Sequence, residues 1–183
     1  AHVAEKHVRE TRNDGLEFYN PDQWEKGKHT TDVINFLPTA LKAGDIQVWY
    51  QPQIDITTGE ITGAESLCRW NHNKLGWLRP IDFITTLEET GLIYDLDSYV
   101  WDKVCQDLAR WNQQGLHNRI SVNISRCDIR EDRDIPAQFQ ALIEKYNLTP
   151  DQLRLEITET AFVENPYLLI KTTTQLRKCI RQF

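Results

Sequence analysis

Residues 120–158, ISVNISRCDIREDRDIPAQFQALIEKYNLTPDQLRLEIT, form the stretch of sequence that decides the fold. Short aliphatic runs at 120–125 and 153–158 predict two strands, and the segment between them predicts a helix over 136–146. A further helix is expected at 166–180. Strands that alternate with helices form right-handed βα units, so we expect an α/β fold with a parallel sheet.

The residues before this stretch predict a β-hairpin and three more helices. Strands are expected at 46–55 and 60–70, and they should pair antiparallel because Thr57-Thr58-Gly59 between them is a turn signal. The other expected elements are helices at 30–43, 80–90 and 96–114 and a loop at 71–79. A closed βα barrel needs about eight strands and about 250 residues. With four clear strands, the fold is expected to be truncated.

The composition narrows the class of protein. The chain has 183 residues and a net charge of −6, which does not favour binding to a nucleic-acid duplex or an anionic membrane. No stretch approaches the roughly 18 consecutive apolar residues of a membrane span, and no signal-peptide pattern opens the sequence. The four cysteines lack CxxC spacing, so we expect reduced thiols in a cytoplasmic setting and no zinc site. The absence of methionine indicates an excised piece or a removed first residue.

Three of the expected strands each carry one oxygen-bearing side chain among apolar neighbours: Glu65, Asn123 and Glu156. A carboxylate buried in a strand is costly unless something compensates it. Side chains alternate across a strand, so Glu65 shares a face with Leu67 and Arg69, and Asn123 faces away from its aliphatic neighbours. Convergent carboxylate and amide oxygens suit a hard divalent cation. The pattern therefore predicts a metal site towards the C-terminal ends of the strands.

Each of these residues also fits a structural role when it is taken alone. A glutamate in a short strand is often a surface residue on a sheet edge, and an asparagine often caps or turns the backbone. Arg69 alone fits a surface ion pair. The residue pattern by itself leaves a metal site and a set of unrelated polar residues both open.

Five ordered segments give a more specific indication: YQPQI (50–54), TGEITGAESLCRWNH (58–72), GWLRPIDFITTLEETG (76–91), SVNIS (121–125) and LEITET (155–160). Together they resemble the motifs of EAL domains, the family that hydrolyses the bacterial second messenger cyclic di-GMP. The resemblance covers about residues 30–183 and implies a partial TIM-like (β/α) barrel of the EAL type, with an antiparallel first strand. The name-giving triplet reads Glu65-Ser66-Leu67 instead of Glu-Ala-Leu, whereas the arginine of the Glu-x-Leu-x-Arg pattern is present as Arg69.

The resemblance implies a role for each matching residue. The implied ligands of Mg²⁺ or Mn²⁺ are Glu65, Asn123 and Glu156. Arg69 would hold a phosphate of the substrate, a task that suits a guanidinium fork. The implied lining of the nucleotide pocket is Gln51, Leu67 and Pro80. Glu65 and Glu159 are implied as catalytic residues, with Glu159 supporting a loop near the metals.

The implied activity also depends on family motifs that would follow Phe183, an Asp-Asp-Phe-Gly segment and a later lysine, glutamate and glutamine. We therefore expect a parent phosphodiesterase that converts cyclic di-GMP into linear pGpG, and little or no activity from this chain alone. Two other functions stay open. One is a degenerate EAL module that binds cyclic di-GMP or a partner without catalysis. The other is a protein acting through contacts alone, for which Trp24 and Trp77 offer apolar surface.

The domain boundary is expected near residue 30. Residues 1–29 would be a linker or the tail of a preceding domain such as a GGDEF domain, with Gly15–Asn20 as one short strand. Residues 30–183 would be the N-terminal portion of an EAL domain. The strand at 153–158 would leave an open apolar edge, so we expect the chain to form a homodimer, swap segments or aggregate.

Overall fold

The computed structural model describes residues 21–157 and 165–179, with side chains at 27–157 and 165–178. The helices are α1 (Pro21–Ala43), α2 (Pro80–Thr90), α3 (Ile93–Gln113), α4 (Ile135–Tyr146) and α5 (Pro166–Cys179). The strands are β1 (Ile46–Ile54), β2 (Ile61–His72), β3 (Gly76–Leu78), β4 (Ile120–Ile124) and β5 (Leu153–Ile157). Short 3₁₀ turns occupy Arg126–Asp128 and Pro150–Gln152. Within the described part, no helix is long and apolar enough to cross a membrane.

The strands form one mixed sheet in the order β1-β2-β4-β5, with β3 paired to the end of β2. β1 and β3 run antiparallel to β2, whereas β2, β4 and β5 are parallel to one another. The Asp55 carboxylate closes the β1–β2 turn by accepting hydrogen bonds from the backbone N–H groups of Thr57 and Thr58. The expected antiparallel hairpin and the parallel βα units that follow it are thus confirmed.

Local signals fix the ends of the helices that flank the sheet. Pro80 occupies the first turn of α2, and α2 ends at Gly91, which has a φ of 74° that favours glycine. The Asp82 carboxylate accepts a hydrogen bond from the backbone N–H of Arg79 at 2.8 Å, which satisfies a donor at the start of α2. Asp134 does the same for α4 by accepting from the Ala137 N–H at 3.0 Å.

The first helix is longer than the sequence predicts. α1 begins at Pro21 rather than at residue 30, so residues 21–29 belong to the helix. Their polar sequence has no apolar stripe that would have indicated a helix. Pro38 lies inside α1 with an exposed side chain, while Leu37 beside it is buried in the core. Packing of the helix face that contains Leu37 offsets the loss of the backbone hydrogen bond that a proline cannot donate.

Two further differences concern the region between the hairpin and α3. Residues 76–78 form β3 rather than a loop, because β2 extends to His72 and supplies a partner for three residues. α3 begins at Ile93, three residues before the expected start at Leu96. Residues 15–20, the expected short strand, lie outside the described residues.

The hydrophobic core lies between the sheet and the helices that cover one of its faces. Its largest buried side chains are Trp70, Trp101, Phe83 and Phe139. The Trp101 and Phe139 rings pack with centroids 4.8 Å apart, and the Trp70 and Phe83 rings lie 5.6 Å apart. On β4, Val122 and Ile124 are buried against the helices, whereas Asn123 between them is exposed. The sheet therefore keeps a second, more open face for polar residues.

Candidate functional site

Glu65 and Asn123 meet on the open face of the sheet. The parallel register of β2 and β4 places Glu65 beside Ser121, so Asn123 lies one pleat further along on the same face. The Asn123 side-chain amide donates a hydrogen bond from Nδ2 to Glu65 Oε1 at 3.1 Å. Trp101 Nε1 donates to the backbone carbonyl of Asn123 at 3.0 Å, which ties this point of β4 to α3. Two of the three candidate metal ligands are therefore in direct contact.

Glu156 is placed beside this pair by the register of the next strand. It lies directly opposite Asn123 in the parallel β4–β5 ladder and is half-buried. Paired residues of neighbouring strands leave the same face of a sheet. Glu65, Asn123 and Glu156 thus occupy three adjacent strands on one face. Glu159 lies outside the described residues.

The residues expected to bind a nucleotide surround the same region. Gln51 on β1 lies directly opposite Glu65. Leu67, Pro80 and Asn123 line one cavity of about 260 Å³ beside the middle of β2 and the C-terminal end of β4. The remaining lining residues are Cys68, Ile84, Glu88, Ile93, Asp97, Val100, Ile124 and Ser125. This cavity is largely apolar with two carboxyl groups, as small-molecule sites commonly are.

Arg69 lies further along β2, two residues beyond Leu67. Its Nη1 donates to the backbone carbonyl of Cys68 at 2.8 Å, and its guanidinium carbon lies 5.8 Å from the centroid of the Trp49 ring. Among the ion pairs of the described residues, none involves Arg69. Within that part of the chain, its charge is held by a carbonyl and an aromatic ring and is not neutralised by a carboxylate.

Ser66 points to the opposite face from Glu65, as the alternation predicts. It is 4% exposed, and its Oγ donates to the backbone carbonyl of Ser121 at 2.8 Å. The serine therefore links β2 to β4 inside the core and does not contact the open face.

Sequence comparison assigns the chain that carries these residues to a known protein family. The profile of the family described as EAL domain matches residues 34–179. The chain belongs to the EAL domain family.

Relatives of this EAL domain include named proteins of Escherichia coli (strain K12). The oxygen sensor protein DosP is 32% identical over 178 residues, which is 97% of this chain and 22% of DosP. The probable cyclic di-GMP phosphodiesterase PdeB is 34% identical over 128 residues, which is 70% of this chain and 25% of PdeB. The chain spans about a quarter of the length of these curated relatives.

Solved structures of EAL proteins share the fold of this EAL domain. The PaMucR phosphodiesterase in complex with cyclic di-GMP aligns with a TM-score of 0.69 and 26% identity, covering 78% of this chain and 60% of that one. The FimX EAL domain of Xanthomonas citri, solved with the same dinucleotide, aligns with a TM-score of 0.73 and 15% identity, over 85% of this chain and 60% of that one. At 15% identity the likeness concerns the fold alone. The expected TIM-like α/β fold of the EAL type is confirmed.

Sequence reasoning missed a buried acidic network beneath the EAL site. Burial and the neighbouring Asp128 raise the pKa of Asp97 well above its usual range, and burial also raises the pKa of Asp128. The Asp128 Oδ2 accepts from the Ser125 backbone N–H at 2.9 Å, and Ser125 Oγ donates to Glu88 Oε1 at 2.7 Å. Arg133 Nη1 lies 3.6 Å from Asp128 Oδ1. Asp128 is fully buried and Asp97 is half-buried, and the raised pKa values of both carboxyl groups favour one proton held between them over double ionisation.

Two sequence signals could have found this network. Asp97 occupies the apolar stripe of α3, four residues after the buried Ile93 and three before the buried Val100. A charged residue at such a position needs a partner. Ser125 and Asp128 also have the spacing of a helix-capping pair, in which the acidic side chain reaches back to the backbone of the first residue.

Among its described residues, the open face of the sheet in this EAL domain offers only a few hard oxygen donors. Over residues 21–157 and 165–179, no group of three or more histidine, cysteine, aspartate or glutamate side chains could hold a metal ion. Glu65 and Glu156 supply two carboxylates, and Asn123 adds an amide oxygen. This donor set fits Mg²⁺ or Mn²⁺, which prefer carboxylate and carbonyl oxygens and keep several waters. It does not fit a soft metal that requires thiolates.

Proposed function

We propose that the chain forms the N-terminal portion of a metal-dependent phosphodiesterase domain that hydrolyses cyclic di-GMP to linear pGpG. The observation that carries this proposal is the contact between Glu65 and Asn123, with Glu156 in register beside them. That contact lies within the region that matches the EAL family. The name of PdeB, a probable cyclic di-GMP phosphodiesterase, supports the choice of substrate.

The proposed metal ligands act by position and charge. Glu65 and Glu156 concentrate negative charge on the open face, and the Asn123 amide lies between their two strands. A Mg²⁺ or Mn²⁺ ion held by these residues would supply Lewis-acid chemistry, activating water for attack on phosphorus. The Trp101 hydrogen bond to the Asn123 carbonyl holds that part of β4 in place and so restricts where the amide can move.

The proposed substrate-binding residues lie around these ligands. Arg69, which has an arginine fork and no carboxylate partner among the described ion pairs, would bind a phosphate of the dinucleotide. Leu67 and Pro80 would contact the nucleotide from the wall of the 260 Å³ cavity. Gln51 would approach it from β1, opposite Glu65.

We further propose that the 183-residue chain alone binds cyclic di-GMP better than it cleaves it. Among the described residues, two carboxylates and one amide would leave most positions around a six-coordinate cation to water, so that the ion would be held weakly. The same scarcity of ligands favours the second candidate function, a cyclic di-GMP-binding module without catalysis. The two candidates differ in whether linear pGpG forms.

The test is a pair of measurements on the purified chain. Calorimetric titration with cyclic di-GMP, with and without Mn²⁺, should show binding that Mn²⁺ strengthens. Glu65→Gln should remove the effect of Mn²⁺, because it replaces a carboxylate ligand with a weaker amide. Glu60→Gln is the matched control, because it makes the same chemical change away from the site. Glu60 is exposed in the β1–β2 turn region.

Chromatography of the same mixtures then separates cyclic di-GMP from linear pGpG. Product that disappears in Glu65→Gln would support hydrolysis by the chain itself. Binding without product would support the binding module for this chain, and the assay would then be repeated on a longer protein containing it. No binding by the wild-type chain, or binding that is the same in Glu65→Gln and Glu60→Gln, would refute the proposed site.

A further inference from the structure

Two tryptophans at the rim of the site are exposed to solvent. Trp49 and Trp77 expose 53% and 55% of their surface, whereas Trp70 and Trp101 expose 1% and 0%. The two exposed indoles meet edge to face with ring centroids 6.3 Å apart. We refer to Trp49 and Trp77 as the tryptophan wall. Large apolar side chains that adjoin one another at the surface are a common feature of binding sites.

The strand register places the tryptophan wall on the same face of the sheet as Glu65. Trp49 lies opposite Leu67, and Trp77 lies opposite Asn71. Leu67 and Asn71 follow Glu65 at even spacing on β2, so these residues and their cross-strand partners leave one face. Two residues along a strand and one strand across amount to about 8 Å. The wall thus begins about that far from the backbone of Glu65.

Arg69 connects the tryptophan wall with the rest of the site. Its guanidinium lies 5.8 Å from the Trp49 ring centroid, within the range of a cation–π contact. Trp49 is itself held by a hydrogen bond from its Nε1 to Gln47 Oε1 at 3.2 Å. A guanidinium can bind a phosphate, and an exposed indole face can stack on a base. The two side by side have the chemistry of nucleotide recognition.

We propose that the tryptophan wall is a base-stacking site for one guanine of cyclic di-GMP, with Arg69 binding the adjacent phosphate. The inference rests on the proposed function, from which it takes its ligand. Stacking on an indole accepts any base, because every base has a π face. The wall therefore supplies affinity and positions the phosphate, and it does not select guanine over adenine.

The test is a titration of the chain with cyclic di-GMP in Mn²⁺, followed by tryptophan fluorescence and by calorimetry. Trp49→Ala and Trp77→Ala should each weaken binding by about tenfold, the loss expected for one stacked base. Trp49→Phe and Trp77→Phe keep an aromatic face, so the double phenylalanine variant should retain most of the affinity and lose most of the quenching. Tyr167→Ala removes an aromatic ring that is 79% exposed on α5 and should bind like the wild type.

The outcomes separate this inference from the proposed function. Wild-type affinity in both alanine variants would overturn the tryptophan wall and leave the proposed function intact. Equal losses in the alanine and phenylalanine variants would also overturn it, because a phenyl ring still stacks. If an alanine variant fails to fold, the double phenylalanine variant decides, since wild-type quenching in that variant excludes these indoles as the stacking site. A wild-type chain that does not bind cyclic di-GMP refutes both proposals.

Discussion

Gly63→Ala should destabilise the pairing of β2 with β4, the two strands that bring Glu65 and Asn123 together. A Cβ atom at Gly63 would lie 2.7 Å from the backbone oxygen of Arg119, whereas ordinary van der Waals contact begins at 3.4 Å. The same oxygen accepts the hydrogen bond from the Ala64 N–H at 3.0 Å. Backbone atoms must therefore separate by several tenths of an ångström, at the point where the two strands first pair.

The magnitude follows from three terms. Overpacking costs about 1–3 kcal/mol, and weakening the Ala64–Arg119 hydrogen bond adds about 0.5–1.5 kcal/mol. Replacing a glycine by alanine returns about 0.4–1 kcal/mol through the unfolded state. We expect a net loss of about 2 kcal/mol, which lowers the thermal midpoint of a chain of this length by about 4–8 °C.

The assay is thermal and urea unfolding of three proteins, the wild type, Gly63→Ala and Gly27→Ala. Gly27 is the matched control, because it lies in α1 and a Cβ atom added to it would have no contact within 4 Å. Gly27→Ala should stabilise the chain by up to about 1 kcal/mol through helix propensity. Gly63→Ala should also reduce the affinity for cyclic di-GMP, because the shift lies two residues from Glu65. A Gly63→Ala chain as stable as Gly27→Ala would refute the close approach and the reasoning built on it.

Two further predictions concern buried groups. Because the pKa of Asp97 is raised in the folded chain, its protonated carboxyl stabilises the fold fully below about pH 4, the pKa of the group in the unfolded chain. This stabilisation is lost as the pH rises through the pKa of the folded chain. Asp97→Asn cannot ionise, so its urea midpoint should rise relative to that of the wild type as the pH increases, and parallel pH curves would contradict the shared proton. Burial raises the pKa of the Cys105 thiol to about 12 and its side chain is 0% exposed, so near pH 8 a disulfide reagent should label it only as fast as the chain unfolds. Peptide mapping that finds Cys105 labelled rapidly in the native chain would contradict this.

Periodicity was sufficient for the elements that bury one regular face. β4 and β5 follow the alternation of their sequences, and α4 follows its apolar spacing to within one residue of the expected start. The elements that periodicity missed are held by other means. β3 has three residues and exists because β2 continues beside it, and residues 21–29 extend α1 without an apolar stripe of their own. Pairing and helix propagation act beyond the window that a sequence pattern samples.

The candidate site shows the same division. Alternation and parallel register are enough to place Glu65 and Asn123 on one face, and their hydrogen bond agrees with that prediction. The acidic network could not be derived in this way, because Asp97 and Asp128 come from a helix and a 3₁₀ turn 31 residues apart in the sequence. The tryptophan wall likewise depends on the pairing of β1 and β3 with opposite edges of β2 near its end. Tertiary pairing, rather than local pattern, decides which distant polar or aromatic residues meet.

The serine that stands in place of the alanine of the Glu-Ala-Leu triplet also acts where β2 pairs with β4. Ser66 faces the core, and its hydroxyl donates to the Ser121 carbonyl, so the substitution adds a link between the strands that carry Glu65 and Asn123. Gly63 leaves room for the backbone oxygen of Arg119, just before the first paired residue of β4. Ser66 adds a hydrogen bond between the two strands, and Gly63 avoids a steric clash between them. The departure from the family triplet therefore bears on the alignment of Glu65 and Asn123 and leaves the side chains of the open face unchanged.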